Sequence, residues 1–284
     1  MAKNILKILI ILLALSSCAT SHQDISAMTY NVRYGLADDG ENSWKYRKEF
    51  LANQINFYNP DFLGIQEGLP FQLFYLDSLM PKHKYIGVSR SVDGKGEYSA
   101  ILYNQEKFEL LEQHTFWLSP TPTKPSKGWD AAYPRICTYG LFKSKSTKQK
   151  IWILNTHFDH IGEKAREESV QLILKEIKKI NIEKYPLVFM GDLNAEPDSK
   201  PIAVLNTILN DSKEKSIEKS FGPNGTFNNF EFDKPVIKRI DYIFVSKDNS
   251  IQINKHAVLS DSRDLKYPSD HLPVFIQLTL NKTK

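Results

Sequence analysis

The chain has 284 residues, of which 41% are hydrophobic, 25% charged and 12% aromatic. It can therefore bury a large core, and composition alone permits one large domain or two small ones. The formal net charge of +4 is too small to serve as an argument for a nucleic-acid partner.

The N-terminus has the pattern of an exported protein. A short basic region with Lys3 precedes a run from Ile5 to Leu15 that is apolar except for Lys7. That run is about half of the roughly 20 residues that a membrane span needs, so we predict a signal peptide over residues 1–17. The following Leu15-Ser16-Ser17-Cys18 resembles the lipobox of bacterial lipoproteins.

The lipobox resemblance implies that Cys18 is lipidated and becomes the first residue of the mature protein. The expected location is the cell envelope, anchored to a bacterial membrane and facing the periplasm or the surface. Residues 18–25 would be the lipidated cysteine and a polar tether. A plain signal peptide with an incidental Cys18 is the alternative.

Regular elements are predicted along the rest of the chain, with no linker or repeat between them. Helices are predicted over Tyr46 to Tyr58, over Glu163 to Ile180 and from Pro201 onward. Strands are predicted over the following segments: Ala27 to Val32, Phe62 to Gln66, Ala100 to Tyr103, Thr138 to Phe142, Ile151 to Thr156, Leu187 to Met190, Ile240 to Val245 and Val274 to Leu280.

This mixture predicts one α/β (α+β) domain over residues 26–284, and we expect a monomer. The architecture expected is a four-layer α/β/β/α sandwich, in which two mixed β-sheets pack together beneath outer helices. Cys137, the second of the two cysteines, lies in an apolar run and is predicted to be a core thiol rather than a nucleophile.

Polar side chains recur where the predicted strands end or begin. Strand ends supply rigid platforms that converge on a site. The residues so placed are Asn31, Glu67, His157, Asp159, His160, Asp192, Asn194, Asp241, Asp270 and His271. Carboxylates, amides and imidazoles without a thiolate suit Mg²⁺ or Mn²⁺ better than zinc.

These motifs, in chain order, resemble those of the endonuclease/exonuclease/phosphatase superfamily. The resemblance covers most of the predicted domain, from Met28 to Leu280. It rests on six motifs: Met28-Thr29-Tyr30-Asn31-Val32-Arg33, Ile65-Gln66-Glu67-Gly68, Asn155-Thr156-His157-Phe158-Asp159, Gly191-Asp192-Leu193-Asn194, Arg239-Ile240-Asp241-Tyr242-Ile243 and Ser269-Asp270-His271-Leu272-Pro273.

The resemblance implies a role for each matched residue. Glu67, Asn31 and Asp270 would hold the metal. Asp192 and Asn194 would align the attacking water and hold the phosphate. His271, oriented by Asp241, would be the general base or a phosphate-polarising imidazole, and His157 a second imidazole on the phosphate or leaving group.

Further residues are candidates on weaker signals. Glu97 resembles the family glutamate that pairs with the first imidazole, here His157, although a solvated loop glutamate is the alternative. Arg135 is a candidate phosphate-binding cation because its fork matches two phosphate oxygens. Asp159 and His160 are further candidates for contact with the substrate phosphate, and His160 lies either in the site or on its rim. The Pro-rich segment 117–134 is expected to shape the substrate cleft.

The predicted activity is metal-dependent hydrolysis of a phosphate ester by water. A nuclease acting on extracellular nucleic acid or nucleotide is the leading hypothesis. A sphingomyelinase-like or inositol-phosphate-type phosphoesterase is the alternative, and membrane anchoring makes it credible. A non-enzymatic binding protein on the same scaffold would require a lost site residue, and every matched position is intact.

Overall fold

The computed structural model describes residues 24–281. The predicted signal peptide and Cys18 lie outside these residues. The helices, beside a 3₁₀ turn at Gly40–Asn42, are α1 Trp44–Tyr58, α2 Pro70–Leu79, α3 Glu163–Ile180, α4 Lys200–Ile208 and α5 Ser212–Lys215. The strands are β1 Asp24–Asn31, β2 Phe62–Gly68, β3 His83–Ile86, β4 Tyr98–Asn104, β5 Phe108–Trp117, β6 Ile136–Ser144, β7 Lys150–His157, β8 Leu187–Asp192, β9 Leu209–Asp211, β10 Asp241–Ser246, β11 Ile251–Val258 and β12 Val274–Leu280.

The strands form two six-stranded mixed sheets. The first sheet has the order β11-β12-β1-β2-β4-β3, and the second has the order β5-β6-β7-β8-β10-β9. Each sheet contains one parallel pair at its centre, β1 with β2 and β7 with β8. The carboxyl ends of these four strands supply much of the site described below.

Alternation along the central strands divides the apolar side chains between layers. Ala27 and Ile153 point into the cluster that the two sheets bury between them. Their neighbours point outward: Met28 packs toward Leu51 of α1, and Leu154 packs toward Val170 of α3. Three interfaces therefore separate four layers, which confirms the predicted α/β/β/α sandwich.

Most predicted elements are present with small shifts of their ends. The helix over Glu163–Ile180 has the predicted bounds, since its apolar residues recur on one face. The expected tether is shorter than predicted, because Asp24 and Ile25 already pair with Thr279 and Leu278 of β12. Ile25 is buried, so the strand gains a core side chain by starting early.

Cys137 is a fully buried thiol and burial raises its pKa, which confirms its assignment to the core. Within residues 24–281, no helix has both the length and the apolar character that crossing a bilayer requires.

A buried histidine makes the stability of the fold depend on pH. His256 of β11 receives or donates a hydrogen bond at Nδ1 with Ser220 Oγ, 2.7 Å away. Burial, reinforced by Arg239, lowers the pKa of His256 from 6.5 to about 4. The unfolded chain therefore binds more protons than the folded chain between these two pH values, so stability falls as pH decreases from 6.5 to 4.

We expect the His256→Gln variant to lose that pH dependence. At about 1.4 kcal/mol per pKa unit, the contribution of His256 to the free energy of unfolding is on the order of 3 kcal/mol across the window. Urea titrations at pH 7 and pH 4 would measure it, with the surface variant His114→Gln as the control. Equal pH slopes in the wild type and His256→Gln would contradict the assignment.

Candidate active site

Central strands of both sheets end at one site. β1 ends at Asn31, β7 at His157 and β8 at Asp192, while β10 begins at Asp241. Asp192 lies opposite His157 across the parallel pair and opposite Asp241 across the antiparallel pair. The register of the sheet therefore places one carboxylate between an imidazole and a second carboxylate.

A glycine lets β8 approach β7 this closely. Gly191 has φ +152°, and a Cβ there would lie 2.1 Å from the carbonyl oxygen of Thr156. Any larger residue would push the two strands apart and displace the neighbouring Asp192. The glycine of the Gly191-Asp192-Leu193-Asn194 motif therefore allows the Asp192 carboxylate to take its position in the site.

Asp192 is the centre of the hydrogen-bond network. Its Oδ2 accepts from Asn31 Nδ2 at 3.0 Å and lies 3.4 Å from His157 Nε2 and 3.8 Å from His271 Nε2. Burial, followed by repulsion from the carboxylate of Asp241, raises its pKa to about 7. A carboxylate with this pKa can accept a proton near neutral pH.

His271 and Asp241 form a buried imidazole–carboxylate pair. His271 Nδ1 and Asp241 Oδ2 are 2.9 Å apart, and the backbone N–H of Asp241 donates to Thr226 Oγ1. Burial by itself lowers the pKa of His271, but the carboxylates of Asp241 and Asp192 outweigh it and raise the pKa to about 10. In this environment His271 is a protonated hydrogen-bond donor at neutral pH, with Nε2 facing the pocket.

Two further carboxylates lie on the other side of Asn31. Glu67 accepts hydrogen bonds from Asn31 Nδ2 and from the backbone N–H of Tyr34. It has a left-handed backbone, φ +61°, which is unfavourable for a glutamate and is typical of functional positions. Asp270 lies 3.4 Å from Arg33, and burial together with nearby Glu67 raises its pKa.

Asn31 has a different contact from the one predicted. Its side-chain oxygen accepts from the backbone N–H of Arg33 at 3.0 Å, and its amide nitrogen faces Glu67 and Asp192. Asn31 therefore lies in the site as predicted, but it holds two carboxylates through its nitrogen instead of offering an oxygen to a cation.

The donor set fits a divalent cation that prefers oxygen ligands. Among residues 24–281, donor atoms of Asp192, Asp241 and His271 lie within 4.8 Å of one another. Asp241 is already bonded to His271, however, so the carboxylates that remain open for a cation are those of Glu67 and Asp270. Crowded buried carboxylates of this kind favour Mg²⁺ or Mn²⁺, which relieve their repulsion.

The predicted pairing of Glu97 with His157 is absent. Glu97 forms a salt bridge with Arg90, and both side chains are 13% exposed. His157 Nε2 lies 3.1 Å from Asn194 Nδ2, while its buried Nδ1 has no partner among residues 24–281. Burial first, then Arg135 and Arg90, lowers the pKa of His157 well below its usual value, so this imidazole is neutral.

A physical reason explains the different pairing of Glu97. Arg90 is itself buried, and a buried guanidinium without a carboxylate would be costly. Glu97 neutralises that charge, leaving only a cavity of about 10 Å³ between itself and His157. That space has room for roughly one water molecule.

Asp159 also differs from its prediction. Its carboxylate is buried and accepts from the backbone N–H groups of Ile161, Gly162 and Tyr133, and it lies 3.4 Å from Arg135 Nε. Burial alone raises its pKa, but these N–H donors outweigh it and lower the pKa. Asp159 is therefore a fixed anion that orients Arg135, and it lies behind the residues that line the pocket.

The side chains surround one pocket of about 670 Å³. The predicted residues that line it are Glu67, Glu97, Arg135, His157, His160, Asp192, Asn194, Asp270 and His271. Asn31, Asp159 and Asp241 are buried behind them and hold them in place. The residues predicted from the strand ends are distant in the sequence, and as predicted they lie in or directly behind one pocket.

Other pocket residues were missed by the sequence analysis. They are Arg33, Tyr34, Leu69, Arg90, Ser91, Lys95, Gly96, Tyr133, Phe227, Asn229, Lys238 and Ile240. Arg33 belongs to the first of the six motifs. It has a left-handed backbone (φ +60°) just after β1, as Glu67 has near the end of β2. Tyr133 directly precedes Pro134 and Arg135, but no periodic pattern marks it, because it belongs to an irregular loop.

Solved structures from Bacteroides resemble this fold over nearly their full length. An endonuclease/exonuclease/phosphatase family protein of Bacteroides thetaiotaomicron is 37% identical with a TM-score of 0.86, covering 92% of this chain and 99% of that one. A mannosyl-6-phosphatase of Bacteroides thetaiotaomicron VPI-5482 is 37% identical with a TM-score of 0.84, covering 89% of this chain and 99% of that one.

Curated relatives are more distant, and the alignments cover only part of their length. The exoribonuclease subunit Ccr4 of the CCR4-Not complex in Kluyveromyces lactis is 22% identical over 84% of this chain and 38% of its own length. The chain spans between 29% and 60% of the length of the first curated relatives that it matches. The family model described as "Endonuclease/Exonuclease/phosphatase family" matches residues 28–271. With its motifs, sandwich and site in agreement, the chain belongs to the endonuclease/exonuclease/phosphatase family of phosphoester hydrolases.

Proposed function

We propose that the protein is an exported, divalent-metal-dependent phosphatase that hydrolyses the phosphate monoester of a sugar. The observation that carries this proposal is the convergence of Arg135, protonated His271 and neutral His157 on one pocket of about 670 Å³. A phosphate monoester carries nearly two negative charges at neutral pH because its second pKa is about 6. A guanidinium and an imidazolium in one pocket favour that dianion over the single charge of a diester.

The relatives support the same substrate class. The Bacteroides mannosyl-6-phosphatase is 37% identical to this chain and is matched over 99% of its length. The Ccr4 relative is 22% identical and is matched over 38% of its length. A pocket of a few hundred cubic ångströms is also of the size that small ligands occupy. A hexose phosphate would place one phosphate and one ring in it.

In the proposed mechanism Asp192 is the proton acceptor and His271 is a hydrogen-bond donor to the phosphate. Asp192, with its pKa near 7, accepts the proton of the attacking water. His271, held protonated by Asp241, donates a hydrogen bond to a phosphate oxygen. Of the two roles that the sequence left open for His271, the electrostatics favour the phosphate-polarising imidazole over the general base.

The remaining residues bind and orient the phosphate. Arg135 donates to its oxygens. Neutral His157 accepts at Nε2 from Asn194 Nδ2, 3.1 Å away, and so orients the Asn194 amide at the phosphate and the attacking water. A divalent cation held by Glu67 and Asp270 would supply charge neutralisation at the phosphate and stabilise the departing alkoxide. The family is divalent-metal dependent, and Mg²⁺ or Mn²⁺ is the cation we propose.

A nuclease remains the second candidate, because Ccr4 subunits are among the relatives. A substrate panel with Mg²⁺ separates the candidates: mannose 6-phosphate, plasmid DNA, RNA, sphingomyelin and inositol phosphates. We expect kcat/KM for the hexose phosphate to exceed that for every diester by at least about 100-fold. Turnover of nucleic acid or sphingomyelin alone would overturn the phosphatase proposal.

Arg135 provides the matched variant for this panel. Arg135→Met should lower kcat/KM for the monoester by about 100-fold, because it removes a charge-assisted donor that a dianion needs. Arg263→Met removes an exposed guanidinium elsewhere and serves as the control. Equal values of kcat/KM for Arg135→Met and Arg263→Met would show that Arg135 does not bind the phosphate.

The proposal also places the enzyme on the cell envelope through Cys18. Its support is the signal-like N-terminus and the lipobox resemblance. Cell fractionation tests it, since a Cys18→Ser variant should move from the membrane fraction to the soluble fraction. Equal membrane association of both forms would remove the anchor from the proposal.

A further inference from the structure

One wall of the pocket carries two stacked rings. The rings of Tyr133 and His160 have centroids 5.9 Å apart and are inclined by 14°. Both line the pocket, and Tyr133 is 52% exposed. We call these two side chains the Tyr133–His160 stack. An exposed aromatic ring beside the phosphate-binding groups offers apolar surface that a bare phosphate would not use.

The stack is held rigidly before any substrate arrives. The backbone N–H of Tyr133 donates to Asp159 Oδ2 at 3.3 Å, and the Arg90 guanidinium lies 5.2 Å from the Tyr133 ring centroid. His160 Nδ1 lies 3.2 Å from the Arg135 guanidinium. Since these contacts already order both rings, binding a ligand against them costs little conformational entropy.

The stack adjoins the proposed phosphate-binding groups. His160 contacts Arg135 directly, and Arg90 contacts both Tyr133 and Glu97. A group covalently joined to a phosphate on Arg135 would therefore lie beside the stack. The same pocket contains the acidic side chains of Glu67 and Asp270, which are placed for a cation.

The chemistry of the stack suits a sugar ring. One face of a pyranose consists of C–H groups, which pack on aromatic surface, while its hydroxyl groups need hydrogen-bond partners at the edges. Arg90 and Ser91 stand beside Tyr133 in the same pocket and can supply them. An acyclic alkyl phosphate has no ring face to place there.

We propose that the Tyr133–His160 stack is the subsite for the sugar ring of the leaving alcohol. This inference rests on the proposed phosphatase function and deepens it by naming the residues that select a cyclic substrate. Tyr133 contacts the ring and is thus a specificity residue. The phosphate is bound and hydrolysed by the other side chains.

The test compares two primary alkyl phosphates on the same protein. Mannose 6-phosphate carries a ring and glycerol 1-phosphate does not. For Tyr133→Ala, we expect KM for mannose 6-phosphate to rise at least about 10-fold, a loss in the range of aromatic contacts. The kcat for mannose 6-phosphate and the kcat/KM for glycerol 1-phosphate should change less than about threefold.

Two further variants test whether the rise in KM is caused by loss of the aromatic ring. Tyr133→Phe keeps the ring and should raise KM for mannose 6-phosphate far less than Tyr133→Ala. Tyr46→Ala removes an exposed tyrosine outside this pocket and controls for general effects. Thermal melts of each variant verify folding.

Each remaining outcome overturns the inference in a distinguishable way. Equal losses on both substrates, or no loss in Tyr133→Ala, would remove the stack as a sugar subsite and leave the phosphatase proposal intact. A Tyr133→Phe variant as impaired as Tyr133→Ala would assign the contact to the hydroxyl instead of the ring. Wild-type protein that hydrolyses neither monoester would overturn both proposals.

Discussion

Replacing Asp192 with Asn should lower kcat by about 1,000-fold while changing KM little. The amide keeps the size of the side chain and can still bond to a neighbouring polar group, but it cannot accept a proton from water. Asp192 is buried between Asp241 and His157, so no other carboxylate can take its position. A selective loss of kcat is the result expected when a group acts in the transition state.

The pH profile gives this prediction a second readout. Because burial raises the pKa of Asp192 to about 7, its accepting form decreases as pH falls below that value, and kcat should fall with it. Asp198→Asn, an exposed aspartate just beyond β8, is the matched control. A variant Asp192→Asn whose kcat stays within about tenfold of wild type would remove Asp192 as the proton acceptor.

The layered fold could be predicted because its central elements bury apolar side chains on both faces. β7 and β8 read as continuous apolar runs in the sequence, and α3 shows helical periodicity. The strands that were missed lie largely toward the sheet edges: β3, β5, β9 and β11. β11 alternates buried and exposed positions and contains polar residues, which weakens its signal. The helix α2, also missed, exposes Phe71 and Phe74.

The convergence of the site could also be predicted, because residues that end neighbouring central strands must lie together. His157 and Asp192 are register partners, so their proximity follows from the strands alone. Which partner each side chain chooses could not be predicted. Glu97 bonds to Arg90 because that buried cation needs a counter-charge, and the loop carrying Arg90 has no periodic pattern. Pairing among buried charges is decided by three-dimensional neighbours.

The same reasoning explains why Asp159 and Asn31 differ from their predicted contacts. Both are polar residues at or just beyond a strand end, which is also where backbone N–H groups lose their ladder partners. Asp159 accepts from three such groups, and Asn31 accepts from Arg33 N. A polar residue at a strand end thus either faces the pocket or satisfies the turn, and sequence alone does not separate these roles.

Removal of the cation should abolish turnover without unfolding the protein. The proposed ligands Glu67 and Asp270 lie at the pocket wall, outside the three apolar clusters that hold the sandwich together. EDTA should therefore eliminate activity, and added Mg²⁺ or Mn²⁺ should restore it, while circular dichroism shows that the protein stays folded in EDTA. Full activity in EDTA would contradict a metal-assisted mechanism.

Glu67→Gln locates the cation more sharply. The amide retains the shape of the side chain and can accept from Tyr34 N, so the strained backbone at φ +61° keeps its partner. It lacks the negative charge, and we expect cation affinity to fall at least about 100-fold and kcat to fall with it at low Mg²⁺. Titration with Mn²⁺, followed by paramagnetic resonance, measures binding independently of turnover. Glu49→Gln, an exposed glutamate on α1, is the control, and equal Mn²⁺ affinity in both variants would place the cation elsewhere.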